Sequence, residues 1–220
     1  MSSLTAMLLC FRPFLLTALA LMSMFANAQV ELRPIDEAVS RPDFLAFRNE
    51  LKAVVERRDS AELLAVVHRE IKTSFGGDDG VAEFKDVWKI ESKESKIWDE
   101  LRTVLALGGS FDEDGAFIAP YVFSRWPKSV DGFEYVAVIG SKVRIRATPN
   151  STAPIVDTVS HSLLKSTGPV AESTTWVPVS LPDGKAGFVD RRYIRSPIDY
   201  RAIFKRIDGR WQMTMFIAGD

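Results

Sequence analysis

Hydrophobic positions between Ser40 and Gly109 recur at steps of three and four residues, a spacing that places apolar side chains along one face of an α-helix. Asp59, three residues before Glu62, resembles a capping box and marks the start of a second helix, expected to end at the glycines 76–77. Four helices are expected, with these buried faces: Phe44, Phe47, Leu51, Val54 and Val55; Leu63, Leu64, Val66, Val67 and Ile71; Val81, Phe84 and Trp88; and Ile97, Trp98, Leu101, Val104 and Leu105.

The helical period disappears after Gly109, and short β patterns replace it. The segment 116–126, AFIAPYVFSRW, is rich in aromatic and β-branched residues and contains Pro120, so it is expected to form a strand pair or an extended stretch. From Val138 to Val159 the apolar positions lie in short runs separated by turn-forming Gly, Pro and Asn residues. Short strands at this spacing predict a small all-β barrel.

Three stretches of this β region carry a resemblance: VRIRATPNSTAPIVDTVS, then LLKSTGP, then TTWVPVSLPDGKAGFVDRRYI. In this order they resemble a bacterial SH3 domain, in which an arginine-bearing strand leads into a proline-centred loop and a tryptophan strand leads to a Gly-aromatic-Val strand. The resemblance covers residues 134–196, with Phe188 where such domains more often have tryptophan. It implies an SH3-like β-barrel, which we place at residues 134–198.

The last residues predict a β-hairpin, because Asp208-Gly209 separates two apolar alternating runs. An isolated hairpin is only marginally stable in water, so it needs a partner, and the segment 117–123 is the expected one. The barrel is then an insertion in a lobe built from residues 29–133 and completed by residues 199–220. The expected fold class is α+β: a helical N-terminal region with a small β-sheet, plus an inserted SH3-like small β-barrel.

Residues 1–28 have the layout of a secretory signal peptide, with a single charge at Arg12, the apolar run FLLTALALMSMF, and small residues at Ala26 and Ala28. Cleavage is expected after Ala28 and leaves a periplasmic or secreted protein. The apolar run is shorter than the roughly 20 residues that span a bilayer, so no integral membrane span is expected after cleavage. The stretches SFGG, FIAPYVFS and WQMTMFIAGD together resemble a recurring kind of exported protein, and with the SH3-like region they resemble exported bacterial proteins with SH3b-like domains.

Composition argues against several function classes. The chain carries 28 Lys and Arg against 29 Asp and Glu, and losing Arg12 leaves 27 against 29, a net charge of −2. Nucleic-acid binding favours a clear positive excess, so no nucleic-acid partner is expected. The only cysteine, Cys10, lies in the signal segment, so the mature chain is expected to have no disulfide, thiol nucleophile or thiolate metal ligand.

The remaining polar residues form no recognisable catalytic or metal pattern. His68 and His161 are the only histidines and fall in different predicted lobes, and the sequence has no G-x-S-x-G nucleophile motif. The stretches GGDDG and FDEDGAF resemble fragments of calcium loops, but the spacing after Asp112 departs from the full pattern and favours solvated turns. Glu83 or Glu100 could act as the acid of a glycan hydrolase, although nothing singles them out. We therefore assign no catalytic residue, metal ligand or cofactor.

The candidate binding residues lie in two places. Trp126, in a polar connection, is expected either to contact a peptide or sugar or to fill the space between the lobes. The SH3 resemblance implies that the loop ATPNSTAP and the segment VDRRYI border one groove, where Arg191, Arg192 and Tyr193 meet an extended peptide that carries carboxylates. The alternative is that the two arginines are only solvated and that Tyr193 packs in the barrel.

Three functions follow from these observations. The first is a non-catalytic envelope protein whose SH3-like barrel recognises a cell-wall peptide or an envelope protein segment. The second is a carboxylate-dependent cell-wall glycan hydrolase. The third is a periplasmic assembly factor that binds only protein.

Overall fold

The computed structural model describes residues 30–77, 79–170 and 173–219, and the predicted signal peptide lies outside them. The α-helices are concentrated in the first half of the chain. They are α1 Pro42–Arg57, α2 Ser60–Ala65, α3 Val81–Trp88, α4 Ile97–Ala106 and α5 Tyr121–Ser124. Short 3-10 helices lie at Glu37–Ser40 and Arg191–Tyr193.

Three of the helices follow their predicted apolar faces. Pro42 occupies the first turn of α1, where a missing N–H is tolerated, and Arg58 ends the helix in the left-handed conformation with φ 54°. The predicted faces of α1, α3 and α4 are buried at these positions: Phe44, Leu51, Val54, Val55, Phe84, Trp88, Ile97, Trp98, Leu101, Val104 and Leu105. The helical period was therefore sufficient to find these three elements.

The second predicted helix is shorter than expected. Asp59 caps α2 as predicted, since its carboxylate accepts a hydrogen bond from the backbone N–H of Glu62 at 3.0 Å. The expectation that this helix continues to the glycines 76–77 is wrong, because Val67–Lys72 form a strand that pairs in parallel with a C-terminal strand. The β-branched residues of this segment fit a strand as well as a helix, and the distant pairing decides between the two.

Within the described residues, twelve strands form two sheets. The strands are β1 Val67–Lys72, β2 Ser110–Phe111, β3 Phe117–Ala119, β4 Tyr135–Val138, β5 Val143–Arg146, β6 Ile155–Val159, β7 Leu163–Ser166, β8 Trp176–Ser180, β9 Ala186–Asp190, β10 Ile194–Arg195, β11 Arg201–Ile207 and β12 Arg210–Ile217. The first sheet has the order β1-β12-β11-β3-β2, and the second has the order β10-β4-β7-β8-β9-β5-β6. Neighbouring strands are antiparallel, except that β1 is parallel to β12.

The predicted C-terminal hairpin is present as β11 and β12. Asp208 and Gly209 form its turn with positive φ values of 49° and 78°, as a two-residue hairpin turn requires. Strand β11 pairs with β3, with Phe204 opposite Phe117 and Ala202 opposite Ala119. The first sheet therefore joins chain segments that lie before and after residues 134–198.

The segment 116–126 is only partly extended, which corrects the expectation of a strand pair. Strand β3 ends at Ala119, and α5 begins two residues later. Pro120 has no N–H to donate to a sheet, while its carbonyl accepts hydrogen bonds from the backbone N–H groups of Phe123 and Ser124 at 3.0 and 3.1 Å. Proline therefore ends the strand and begins the helical turn.

An aromatic cluster joins α1 to the first sheet. The ring of Phe44 lies 4.3 Å from Phe117 and 4.8 Å from Trp211, measured between ring centroids. The indole N–H of Trp211 donates to the carboxylate of Asp43 at 3.0 Å, which satisfies the polar end of an otherwise buried side chain. Residues from both ends of the described chain thus share one core.

The second sheet encloses its own apolar core, built from branched residues of β4 to β10. Gly187 permits a close approach between β9 and β5, since a Cβ there would lie 2.5 Å from the Cγ2 atom of Ile145. The predicted mixed α+β class is confirmed. In the described residues, no pairing connects β10 to β6, so the sheet is open and the SH3-like barrel stays a prediction.

Deleting residues 199–220 is expected to unfold the helices as well as remove the hairpin, because α1, α3 and α4 share their core with β11 and β12. Far-ultraviolet circular dichroism of the truncated protein should show loss of most of the helical signal. A deletion of the loop residues 148–152, which lie outside that core, is the control and should retain it. Intact helices in the 199–220 deletion would contradict the shared core.

Candidate functional site

Arg191 and Arg192 line a concave surface of about 430 Å³, which we call the arginine cleft. It lies between the second sheet and the end of the first sheet. Helix α4, the region around β10, the turn before β11 and the residues after β12 all contribute to it. Its lining residues are Glu100, Thr103, Ile139, Arg191, Arg192, Ile194, Arg195, Ile198, Asp199, Tyr200, Ala218 and Gly219. The cleft is therefore assembled from both halves of the structure.

Asp190 positions Arg192 at the rim of the cleft. The Asp190 carboxylate caps the 3-10 helix by accepting from the backbone N–H of Arg192 at 3.0 Å, and it also accepts from Nε and Nη2 of that arginine at 3.0 and 2.7 Å. The hydrogen bond from Arg192 lowers the pKa of Asp190, and burial acts in the opposite direction. The Arg192 side chain is nevertheless 79% exposed, so its outer face is open to solvent.

Arg191 is held inside the cleft by two further contacts. Its Nη1 donates to the backbone carbonyl of Ile194 at 3.0 Å, and its Nη2 lies 3.3 Å from the carboxylate of Asp199. Asp199 also accepts from the backbone N–H of Ser196 at 3.0 Å. Arg191 is thus partly structural, whereas the sequence predicted only a binding role or a solvated side chain.

Arg195 also lines the cleft, although sequence analysis did not select it. It is only 6% exposed, and its Nη2 donates to the backbone carbonyl of Tyr200 at 2.6 Å. Burial lowers the pKa of the Arg195 guanidinium, while the charges of Asp199 and Glu100 raise it. The density of arginines near RRYIR was the only available signal, and it could not show which of them is buried.

The other predicted contacts are separate from the cleft. Tyr193 is 46% exposed, with its ring centroid 5.8 Å from the guanidinium carbon of Arg192, but it does not line the cleft. The loop 147–154 does not line it either, so the predicted groove shared by this loop and the arginines is not observed in the described residues. Tyr193 is therefore neither packed in the core nor part of the cleft.

Trp126 lies in another part of the molecule. It is half-buried and packs against a cluster that includes Tyr121 and Leu163, and its indole N–H donates to the carbonyl of Val130 at 2.9 Å. These contacts match the expectation of a side chain that fills space more closely than that of a ligand contact. The structure does not bring Trp126 together with the three arginines.

A larger groove of about 590 Å³ lies beside the start of β7. Its floor includes Leu163 and Leu181, and its wall carries the ion pair between Lys165 and Glu134 at 2.9 Å. The hydrogen bond and the charge of Glu134 raise the pKa of Lys165. Both partners of this pair are exposed, so solvent weakens their attraction and the groove offers less buried charge than the arginine cleft.

The histidines and acidic turns occupy separate positions. His68 accepts a hydrogen bond from the backbone N–H of Glu70 at 3.2 Å, whereas the Nε2 of His161 lies 3.0 Å from the hydroxyl of Ser141. Asp112 accepts from the backbone N–H of Ala116 at 2.8 Å, as in a closed turn. In the parts of the chain that the structure describes, no three His, Cys, Asp or Glu side chains are grouped so as to hold a metal ion.

Comparisons with family models, with curated proteins and with solved structures found no match to this chain. Over residues 30–77, 79–170 and 173–219, no helix has both the length and the apolar character needed to cross a bilayer.

Replacing Asp190 by Asn is expected to lower the free energy of unfolding by about 1 kcal/mol at neutral pH, because Arg192 loses its charged partner. The decrease is modest because solvent screens the pair. The folded-state pKa of Asp190 is lowered, so its stabilisation is present above the unfolded value of about 3.9 and is lost as the pH falls through the folded value. Urea unfolding should therefore show the difference between Asp190→Asn and wild type closing in acid.

Asp183→Asn is the matched control for this prediction. Asp183 pairs with Lys185 at 2.7 Å, but both side chains are about half exposed, with relative accessibilities of 47% and 60%. Its substitution should change stability little at any pH. A difference between Asp190→Asn and wild type that stays constant from neutral to acid pH would show that the Asp190 charge does not contribute.

Proposed function

We propose that this chain is a non-catalytic binding protein of the bacterial cell envelope, which recognises a cell-wall peptide or an envelope protein segment through the arginine cleft. The observation that carries the proposal is the convergence of Arg191, Arg192 and Arg195 on one concave surface. Guanidinium groups keep their proton at ordinary pH and form paired hydrogen bonds with carboxylates. They are suited to holding an anionic group, and they do not act as a general base.

The proposal includes an SH3-like module at residues 134–198. Support comes from the order of short antiparallel strands in the second sheet, with Trp176 opening β8 and the Gly187-Phe188-Val189 run inside β9. These are the strands on which the sequence resemblance depends. Trp176 is only half-buried and lies outside the apolar core of this sheet.

Export is the second part of the proposal and rests on the signal-like residues 1–28. A protein processed after Ala28 meets wall peptides and envelope proteins in the periplasm or outside the cell. Peptides of this kind present carboxylates, which the cleft is suited to bind. The predicted compartment and the chemistry of the cleft thus favour the same class of ligand.

The proposal predicts that the processed protein, residues 29–220, sediments with purified peptidoglycan sacculi. The variant Arg192→Ala/Tyr193→Ala should sediment with an affinity about tenfold weaker, equivalent to about 1.4 kcal/mol, because it removes an exposed cation of the cleft and the exposed aromatic ring of the next residue. Quantifying bound and free protein over a range of sacculus concentrations gives this ratio.

The matched control is Arg125→Ala/Phe133→Ala, which removes an exposed arginine and an exposed aromatic ring outside the cleft. Its sedimentation should equal that of wild type. Equal binding of all three proteins rejects the site, and absence of wild-type binding rejects recognition of the wall. If the protein captures envelope proteins and ignores sacculi, the assembly factor is supported, and release of soluble wall fragments supports the hydrolase.

A further inference from the structure

We propose that the arginine cleft binds the C-terminal carboxylate of a peptide, with the buried Arg195 as the residue that selects this group. This inference rests on the proposed function, because it names the chemical group that the same cleft recognises. It goes further by assigning the selective role to Arg195, which lies just after the segment VDRRYI that the resemblance selected. It also defines the side chain expected beside the carboxylate.

Arg195 is a buried charged residue that makes few hydrogen bonds. Only 6% of the residue is exposed, and its Nε makes no hydrogen bond to any described residue. The hydrogen bond to the carbonyl of Tyr200 uses one of five N–H donors of the guanidinium. The charges of Asp199 and Glu100 compensate this buried cation in part, and its unused N–H donors favour a ligand that supplies acceptor oxygens.

Arg191 adds donor capacity next to Arg195. Its Nε is also buried without a hydrogen bond to the described residues, although its two terminal nitrogens contact Ile194 and Asp199. Two guanidinium groups that line one cleft can share the two oxygens of a single carboxylate. A carboxylate that bridges the two guanidinium groups would use N–H donors of both side chains.

The charge balance of the cleft favours a monoanion. Arg192 is paired with Asp190, and Arg191 lies beside Asp199. Glu100 also lines the cleft, so its acidic residues would repel a doubly charged phosphate more strongly than a carboxylate. The three acidic groups balance the three arginines in formal charge, so the cleft offers a ligand the unused N–H donors of Arg195 rather than a large net positive charge.

The walls of the cleft define the neighbouring part of the ligand. Ile139, Ile198 and Ala218 line it and are half-buried. A volume of about 430 Å³ is small, although it lies within the range of binding pockets for small ligands. A terminal carboxylate that follows a small apolar side chain such as alanine fits both the charge and the walls.

The inference predicts binding of the free acid N-acetyl-Ala-Ala to the full processed chain and at least tenfold weaker binding of its C-terminal amide, a difference of about 1.4 kcal/mol. Titration followed by NMR or calorimetry measures both. Arg195→Gln should abolish the preference for the acid, whereas Arg125→Gln, at an exposed arginine outside the cleft, should retain it. Thr103→Phe is the second variant, because Thr103 is an exposed residue of α4 that lines the cleft, and a phenyl ring there should block it without touching an arginine.

The outcomes separate this inference from the proposed function. Equal binding of acid and amide overturns the carboxylate assignment, even if the protein sediments with sacculi. Binding of the acid without any binding to sacculi supports the inference and rejects wall recognition.

Two competing ligands test the chemistry of the bound group. Equal competition by inorganic phosphate overturns the preference for a monoanion. Equal binding of a peptide that has an internal glutamate and an amidated C-terminus overturns the assignment of a terminal carboxylate. If Arg195→Gln does not fold, unchanged acid binding by Thr103→Phe overturns the site.

Discussion

The pairing of the C-terminal hairpin with β1 and β3 is the constraint on which the rest of the structure depends. Strand β12 pairs with β1 and strand β11 pairs with β3, so the hairpin occupies the centre of the first sheet. It contributes Phe204, Trp211, Met213 and Phe216 to the core, each worth roughly 1.5–3 kcal/mol on burial. The apolar faces of α1, α3 and α4 pack in this same core, which the hairpin completes.

The arginine cleft is a product of the same arrangement. Residues 196–200 connect β10 of the second sheet to β11 of the first, and Asp199 in this link accepts hydrogen bonds from Ser196 and Arg191. After β12, the backbone N–H of Gly219 donates to the carbonyl of Ile198 at 2.8 Å and so closes one side of the cleft. The site therefore belongs to the junction of the two sheets, and the hairpin that completes the first sheet also helps to shape it.

Sequence patterns predicted the elements whose signals are local. The helical stripes of α1, α3 and α4 and the Asp208-Gly209 turn depend on neighbouring residues, and all four are confirmed. The strand β1 was predicted as helix because its branched residues suit both structures, and only the pairing with residues near Met213 decides. Local patterns also predicted a strand pair or an extended stretch for residues 116–126, part of which forms the helix α5.

The cleft was predictable only in part, for a related physical reason. The resemblance selected Arg191, Arg192 and Tyr193, of which the two arginines line the cleft and Tyr193 does not. Trp126, which was selected from its polar connection, does not line the cleft either. Arg195 was missed because arginine is normally exposed, and the cleft that it lines includes segments as distant in sequence as α4 and Gly219. Burial of a charged residue in a junction leaves no periodic signal in the sequence.

The wide separation of β1 and β12 in the sequence also limits the order in which the two sheets can form as the protein is synthesised. Strands β4 to β10 of the second sheet lie within residues 135–195, so this sheet has all its strands before β11 and β12 emerge. The parallel pair of β1 and β12 joins Val67 to Met213 and cannot form until β12 has been synthesised. Until then the apolar faces of the helices lack their sheet and are exposed to solvent, a state that favours aggregation.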